Sequence, residues 1–194
     1  MRLLPTPRHL LIALVAVTVL AAIATGIAHE DYFATTVMFA AAVGGVYVWT
    51  SRYDLVVRLI ATAMIIGATA GWGIDLYGRY SWYDDFLHLT MSIGGAILVG
   101  RVLFPSVQVP SRWLAWTLIW LVWLGIGSLW EIGEWLADQL EGTNHSRGYL
   151  DTMLDMIFNT IGAAIGAAIH VWRPGPAASG AASVTSNATA NMPR

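Results

Sequence analysis

The chain has 194 residues, of which 57% are apolar and only 11% charged, with mean hydropathy +0.61 and a formal net charge of −2. A soluble domain carries about a quarter charged residues, so this chain cannot cover a water-facing surface and its solvent is largely lipid. No basic stripe points to a nucleic-acid partner, and the lack of cysteine excludes disulfides, thiolate metal sites and cysteine nucleophiles.

Crossing a bilayer as a helix takes roughly 17–25 mostly apolar residues, and six such stretches follow one another. They run over residues 10–28, 32–50, 55–77, 86–104, 113–136 and 153–172. Arg2 and Arg8 ahead of a run ending in Gly26-Ile27-Ala28 loosely resemble a secretory signal. The run is long for a signal core, and it is read as a retained helix. Short links between the stretches favour antiparallel neighbours in one bundle, and no internal repeat is visible. From Pro174 to Arg194 the composition turns to Ala, Ser, Gly, Thr, Asn and Pro, which is too little apolar content to fold. The expected fold is therefore an all-α membrane protein: one domain of about six transmembrane helices over 1–173 and a disordered cytoplasmic tail over 174–194.

Arginine placement sets the orientation, because cations concentrate on the cytoplasmic side. With the amino terminus inside, the inner segments hold Arg2, Arg8, Arg52, Arg58, Arg101, Arg112, Arg173 and Arg194, and the outer loops hold Arg79 and Arg147. Both termini are expected in the cytoplasm. The same topology places every carboxylate except Asp54 at the outer end: Glu30, Asp31, Asp75, Asp84, Asp85, Glu131, Glu134, Asp138, Glu141, Asp151 and Asp155. Several of these lie within helices, which loop solvation does not require.

Three clusters carry that asymmetry. At the start of the fourth helix, Asp84 and Asp85 precede His88 by four and three residues, which puts acid and imidazole on adjacent turns of one face. In the fifth, Glu131 and Glu134 stand three apart. In the sixth, Asp151, Asp155 and Asn159 recur every four residues, and Gly162 and Gly166 continue the stripe. Ionisable groups in a span cost about 2.5–3.5 kcal/mol each on insertion scales and normally face the bundle interior or a water-filled cavity. Because the fifth helix runs outward and its two neighbours inward, the clusters are expected at one depth. Glycines at 162 and 166 allow the close backbone approach such a pocket needs.

Carboxylates, an imidazole and an amide oxygen form a hard ligand set suited to Mg²⁺, Mn²⁺, Ca²⁺ or Zn²⁺. Such an ion can polarise a phosphoryl group or activate water. Two other uses stay open: a general acid/base pair of close carboxylates, and a proton or cation relay. Each element also has a plainer structural use. Asp84, Asp85 and Asp151 suit helix amino-terminal caps, Asp155 and Asn159 a polar lock between helices, and Glu131 and Glu134 bonds to tryptophan indoles. His145, in a polar loop with Asn144 and Ser146, is expected to be solvated, and the tryptophans to be interfacial anchors and packing.

Tyr83-Asp84-x-x-x-His88, Glu131-x-x-Glu134-Trp135 and Asp151-Thr152-x-x-Asp155-x-x-x-Asn159-x-x-Gly162-x-x-x-Gly166 together resemble the YjdF-type inner-membrane proteins. The last block also resembles the VanZ-like family, although Asp85 stands where that pattern has a lysine. The resemblance covers residues 75 to 170 and implies a multi-pass protein of the bacterial inner membrane. The YjdF type has no established activity, and the VanZ-like link to glycopeptide resistance implies envelope or lipid chemistry. Other membrane enzymes fit poorly. No Gly-x-Ser-x-Gly is present for a rhomboid-like protease. Asp151-x-x-x-Asp155 is similar to only half of the CDP-alcohol phosphotransferase motif, and Ser146-Arg147 lacks the downstream histidine of lipid phosphatases.

The leading expectation is an outward-facing acidic pocket that binds a divalent cation and acts, hydrolytically, on a lipid-linked or envelope substrate. In it Glu131, Asp155, Asn159 and His88 ligate, Asp84 orients His88, Glu134 is the base, and Asp85, Asp151, Gly162 and Gly166 support. The alternative is a non-catalytic transporter or assembly factor that uses the same acids as a relay or polar lock. A transporter usually shows repeated halves with sites at the midplane, and this chain has neither feature.

Overall fold

In a computed structural model that describes residues 7–104 and 109–173, the described residues form helices joined by short links, with no strand among them. Seven helices follow in order: α1 (Pro7–Ala28), α2 (Tyr32–Thr50), α3 (Leu55–Gly73), α4 (Leu76–Arg79), α5 (Tyr83–Val102), α6 (Arg112–Glu141) and α7 (Tyr149–Trp172). Arg2, Arg194 and the tail expected at 174–194 lie outside the described residues. Four helices, α2, α3, α6 and α7, are long and apolar enough to cross a membrane. With α1 and the 20-residue α5, which carries Asp84, Asp85, His88 and Arg101, they make a bundle of about six spans.

Local sequence sets the helix ends. Asp31, Asp54 and Ser111 cap α2, α3 and α6 by accepting the backbone N–H of Ala34, Val57 and Leu114. Gly142, left-handed at φ 69°, stops α6. α3 ends at Gly73, short of the Tyr77 suggested by hydropathy, because Asp75 turns left-handed (φ 57°) and the chain resumes as the single-turn α4. Apolar content does not register such a break. Neither Asp84 nor Asp151 caps its helix: α5 and α7 follow Trp82 and Gly148, and both acids stand in the first turn.

The helices pack as two groups of three, α1–α2–α3 and α5–α6–α7, joined mainly by α3 against α5. The most extensive contact is between α5 and α7. It depends on Gly162 and Gly166, where an added Cβ would run into the backbone oxygens of Leu89 and Ile93. Below them Ala96, Val99, Ile119, Ala163 and Ala167 form a close-packed apolar core. The outer face of α7 presents an exposed stripe of Ile157, Ile161, Ile165 and Ile169, while Asp155, Asn159, Gly162 and Gly166 are buried on the other face. A helix that turns its isoleucines outward and its acid inward has its apolar solvent outside.

Antiparallel packing gathers the acids at one end. Glu141, at the end of α6, accepts the backbone N–H groups of Tyr32 and Phe33, and His145 reaches Asp31. At the opposite end Asp54 pairs with Arg101. At 30 residues, α6 is about 45 Å long, more than a ~30 Å hydrocarbon core requires. Part of it therefore extends past the apolar layer, and its acids from Glu131 to Glu141 lie in the carboxyl-terminal third of the helix.

Candidate functional site

The three sequence clusters converge on His88, whose side chain is 10% exposed. Nε2 lies 3.6 Å from Asp84 Oδ1 and 3.6 Å from Asp155 Oδ1, and Nδ1 lies 3.8 Å from Glu131 Oε1 and 3.3 Å from Asn159 Oδ1. Helices α5, α6 and α7 thus each contribute a group to one imidazole. Asp155, Glu131, Glu134 and Asn159 are all buried. Glu134 accepts the Trp130 indole N–H at 2.9 Å, the tryptophan contact open to it from the sequence. Asp85 stands half-buried on the same turn as Asp84.

A hydrogen-bonded chain fixes the ring. Trp123 Nε1–H donates to Ser92 Oγ (2.8 Å), so the Ser92 hydroxyl donates onward to Asn159 Oδ1 (2.6 Å). The amide oxygen of Asn159 is thereby an acceptor, and the N–H of His88 belongs on Nδ1 facing it. Nε2 then turns a lone pair toward two carboxylates. Spacings of 3.6 Å exceed a hydrogen bond. They suit donors that share one ion, since ligands about 2.1 Å from a metal stand roughly 3–3.5 Å apart. One ligand atom from each of Asp84, His88 and Asp155 lies within 4.8 Å of the others. Among the described residues, both oxygens of Glu131, Oδ1 of Asp155 and Oδ2 of Asp151 are buried without a hydrogen-bond partner, an arrangement that native interiors avoid.

The inner cavity beside His88 has a volume of about 140 Å³, and its wall includes Ser92, Trp123, Gly127, Glu134 and Asn159. Outside it lies a vestibule of about 630 Å³ bordered by Asp31, Trp72, Asn144, His145 and Arg147. Tyr77, Asp84 and Glu134 line both spaces.

Two residues of this region were not singled out from the sequence. His145 is not solvated: its side chain is 12% exposed, held at 3.2 Å from Asp31 and packed between the rings of Phe33 and Trp72. Arg147, read only as an outer charge, donates from Nη1 to Asp84 Oδ2 at 3.0 Å. The cluster of polar residues from Asn144 to Arg147 is visible in the sequence, but the side-chain partners of His145 and Arg147, Asp31 and Asp84, lie far away along the chain.

A family model described as "Predicted membrane protein (DUF2238)" matches residues 6–174. An "uncharacterized protein" of Thermotoga maritima is 26% identical over 110 residues, covering 54% of this chain and 55% of that protein. The chain thus spans about half the length of the curated relative it matches. No solved structure matches it. With the match running from ahead of α1 to the end of α7, this chain belongs to the DUF2238 family of predicted membrane proteins.

Proposed function

We propose that this protein holds a divalent cation at the outer end of its bundle and acts hydrolytically on a lipid-linked or envelope substrate in the bacterial inner membrane. One observation carries the reading: the His88 Nε2 lone pair faces Asp84 and Asp155 at equal 3.6 Å spacings, beside buried carboxylate oxygens that have no donor among the described residues. Acceptors turned toward one another in a low-dielectric interior repel unless a cation or a shared proton lies between them, and the 3.6 Å spacings, longer than a hydrogen bond, favour the cation. Among the described residues Arg147 is the only arginine in contact with this group, and it reaches Asp84 alone.

In this reading Asp84, His88 and Asp155 ligate, with Glu131 beside them. Asn159 orients the imidazole rather than ligating, because its oxygen already receives Ser92 and His88. Mixed imidazole and carboxylate donors suit Zn²⁺ or Mn²⁺, and Mg²⁺ or Ca²⁺ where water completes the shell. A bound ion would polarise a phosphoryl oxygen. Glu134, on the wall common to both cavities, is the base that takes a proton from the attacking water. The sequence blocks support grouping the chain with the YjdF-type proteins, and the more distant VanZ-like resemblance supports an envelope substrate. Fold-level likeness alone does not supply a reaction.

The test is phosphate release from lipid phosphoesters in mixed micelles, with each of the four ions, by wild type and Glu134→Gln. Metal-dependent turnover that falls roughly 100-fold or more in the variant supports the reading. Turnover equal in both, or absent with every ion, counts against it. The second reading is a non-catalytic relay or polar lock. It draws on the continuous Trp123–Ser92–Asn159–His88 hydrogen bonding and expects folded protein with no metal.

A further inference from the structure

The loop between α6 and α7 is built as a rigid platform. Asp138 accepts four hydrogen bonds from it: Thr143 Oγ1 (2.8 Å), His145 N (2.6 Å), Ser146 N (3.0 Å) and Ser146 Oγ (2.6 Å). Asp31 holds the His145 imidazole from the other side while also capping α2. Arg147 follows in a left-handed backbone conformation, φ 43°, which a branched or long side chain seldom adopts. Such local strain persists where surrounding contacts over-determine it, often at ligand clamps. Here it delivers a guanidinium to the vestibule wall, 5.7 Å from the Tyr77 ring centroid and bonded through Nη1 to Asp84.

Four acids line the vestibule. Asp31 faces His145 and the Ala34 N–H, Asp84 faces Arg147, Glu134 accepts the Trp130 indole N–H, and the exposed Asp75 lies 4.0 Å from Arg79. The guanidinium has five N–H donors in a fork shaped for phosphate, and one of them is engaged. His145, Asn144 and Arg147 therefore line a space of about 630 Å³ that shares Asp84 with the His88 cluster. The outer ends of the neighbouring helices expose Trp82, Phe86, Trp135 and Tyr149. Aromatic side chains of this kind sit at the headgroup level of a bilayer, so the vestibule lies at the depth of lipid phosphates.

We infer that the vestibule is a phosphate-binding site in which Arg147, supported by His145, receives the phosphate group beside Asp84. This names the substrate chemistry of the cation site and rests on that reading for what lies beyond Asp84. The phosphate can belong to a lipid headgroup or to a free phosphate, and the two are separable by experiment.

Full-length protein in detergent, both metal-stripped and Mn²⁺-loaded, is titrated calorimetrically with inorganic phosphate and with dihexanoyl phosphatidic acid. Wild type binds, and Arg147→Gln weakens binding roughly tenfold or more in the metal-stripped state, where any effect of the variant on the ion through Asp84 is absent. Arg147→Lys, which keeps the charge and loses the fork, lies between them. Tighter binding of the phosphatidate identifies a headgroup site, and equal binding a free-phosphate site. Should Arg147→Gln fail to fold, His145→Gln is expected to weaken binding in the same direction. If neither probe binds in either metal state, or the folded variants bind as wild type does, the inference is overturned. Metal content of the same samples judges the cation reading separately: metal-free protein that still binds phosphate through Arg147 keeps this site and removes the ion.

Discussion

The Nδ1 atom of His88 lies 3.3 Å from the side-chain oxygen of Asn159, and that contact sets what the opposite ring nitrogen faces. The Asn159 oxygen also receives the Ser92 hydroxyl, so Asn159→Leu strips an acceptor from two buried donors, at about 1–3 kcal/mol each. It also frees the ring to turn. We expect a lower unfolding temperature and a metal affinity reduced about 10–100-fold, as when a group behind a ligand is removed. Calorimetry and metal titration on detergent-purified protein check both, and an unchanged affinity would contradict the orienting role.

The glycines of this protein divide by what they face. Gly162→Ala drives a methyl into the Leu89 carbonyl and Ser92, and Gly166→Ala into Ile93 and Ala96. Each is expected to destabilise by about 1–3 kcal/mol, the usual cost of overpacking, and to disturb His88 through α5. Gly125 meets nothing within 4 Å, so Gly125→Ala on the same bundle is neutral or stabilises by up to about 1 kcal/mol through helix propensity. Thermal unfolding of the three variants side by side reads the sign. Equal effects at Gly125 and Gly162 would mean that α5 and α7 do not approach as described.

This division shows what a sequence can carry. The Asp155, Asn159, Gly162, Gly166 stripe is legible because helical periodicity puts these residues on one face, and the bundle buries that face. Convergence with Glu131 and His88 is legible because span direction sets depth. The exchange of roles that we propose between Asn159 and Asp84 is not, because it depends on hydrogen bonds of Ser92 and Trp123, which are unremarkable in the sequence. His145 and Arg147 escape for a related reason. A polar loop reads as solvated until Asp138 and Asp31 are found beneath it. The break at Asp75 is a backbone event that hydropathy does not encode.

Asp138→Ala removes the acceptor of four hydrogen bonds and leaves the loop to water. Amide exchange at residues 143–147 is expected to rise roughly tenfold or more, with little change in the buried half of α7. Exchange mass spectrometry reads this directly. A loop that exchanges as slowly in the variant would show that it is held by something other than Asp138.

At the inner end, Asp54 gives a pH signature. The Val57 backbone N–H and, beyond it, the Arg101 charge hold its carboxyl below the usual carboxylate range. The folded value lies below the unfolded one, so the contribution is complete above about pH 4 and is lost as pH falls through the folded value. The side chain is half exposed, and the effect is correspondingly small. Asp54→Asn is expected to lower the unfolding temperature at pH 7, with the deficit shrinking as pH falls below about 4. A deficit that persists in acid would assign it to lost packing or capping instead of charge.

The central claim is that the acceptors around His88 share a cation. The most direct measurement is the divalent-metal content of detergent-purified protein after dialysis against Mg²⁺, Mn²⁺, Ca²⁺ and Zn²⁺, beside an Asp155→Ala/Glu131→Ala double variant that elutes as a folded species. Wild type is expected to hold about one ion per chain, the number that a single three-ligand site holds, and the variant to lose it. Folded wild-type protein that takes up none of the four ions would contradict the claim and favour the relay.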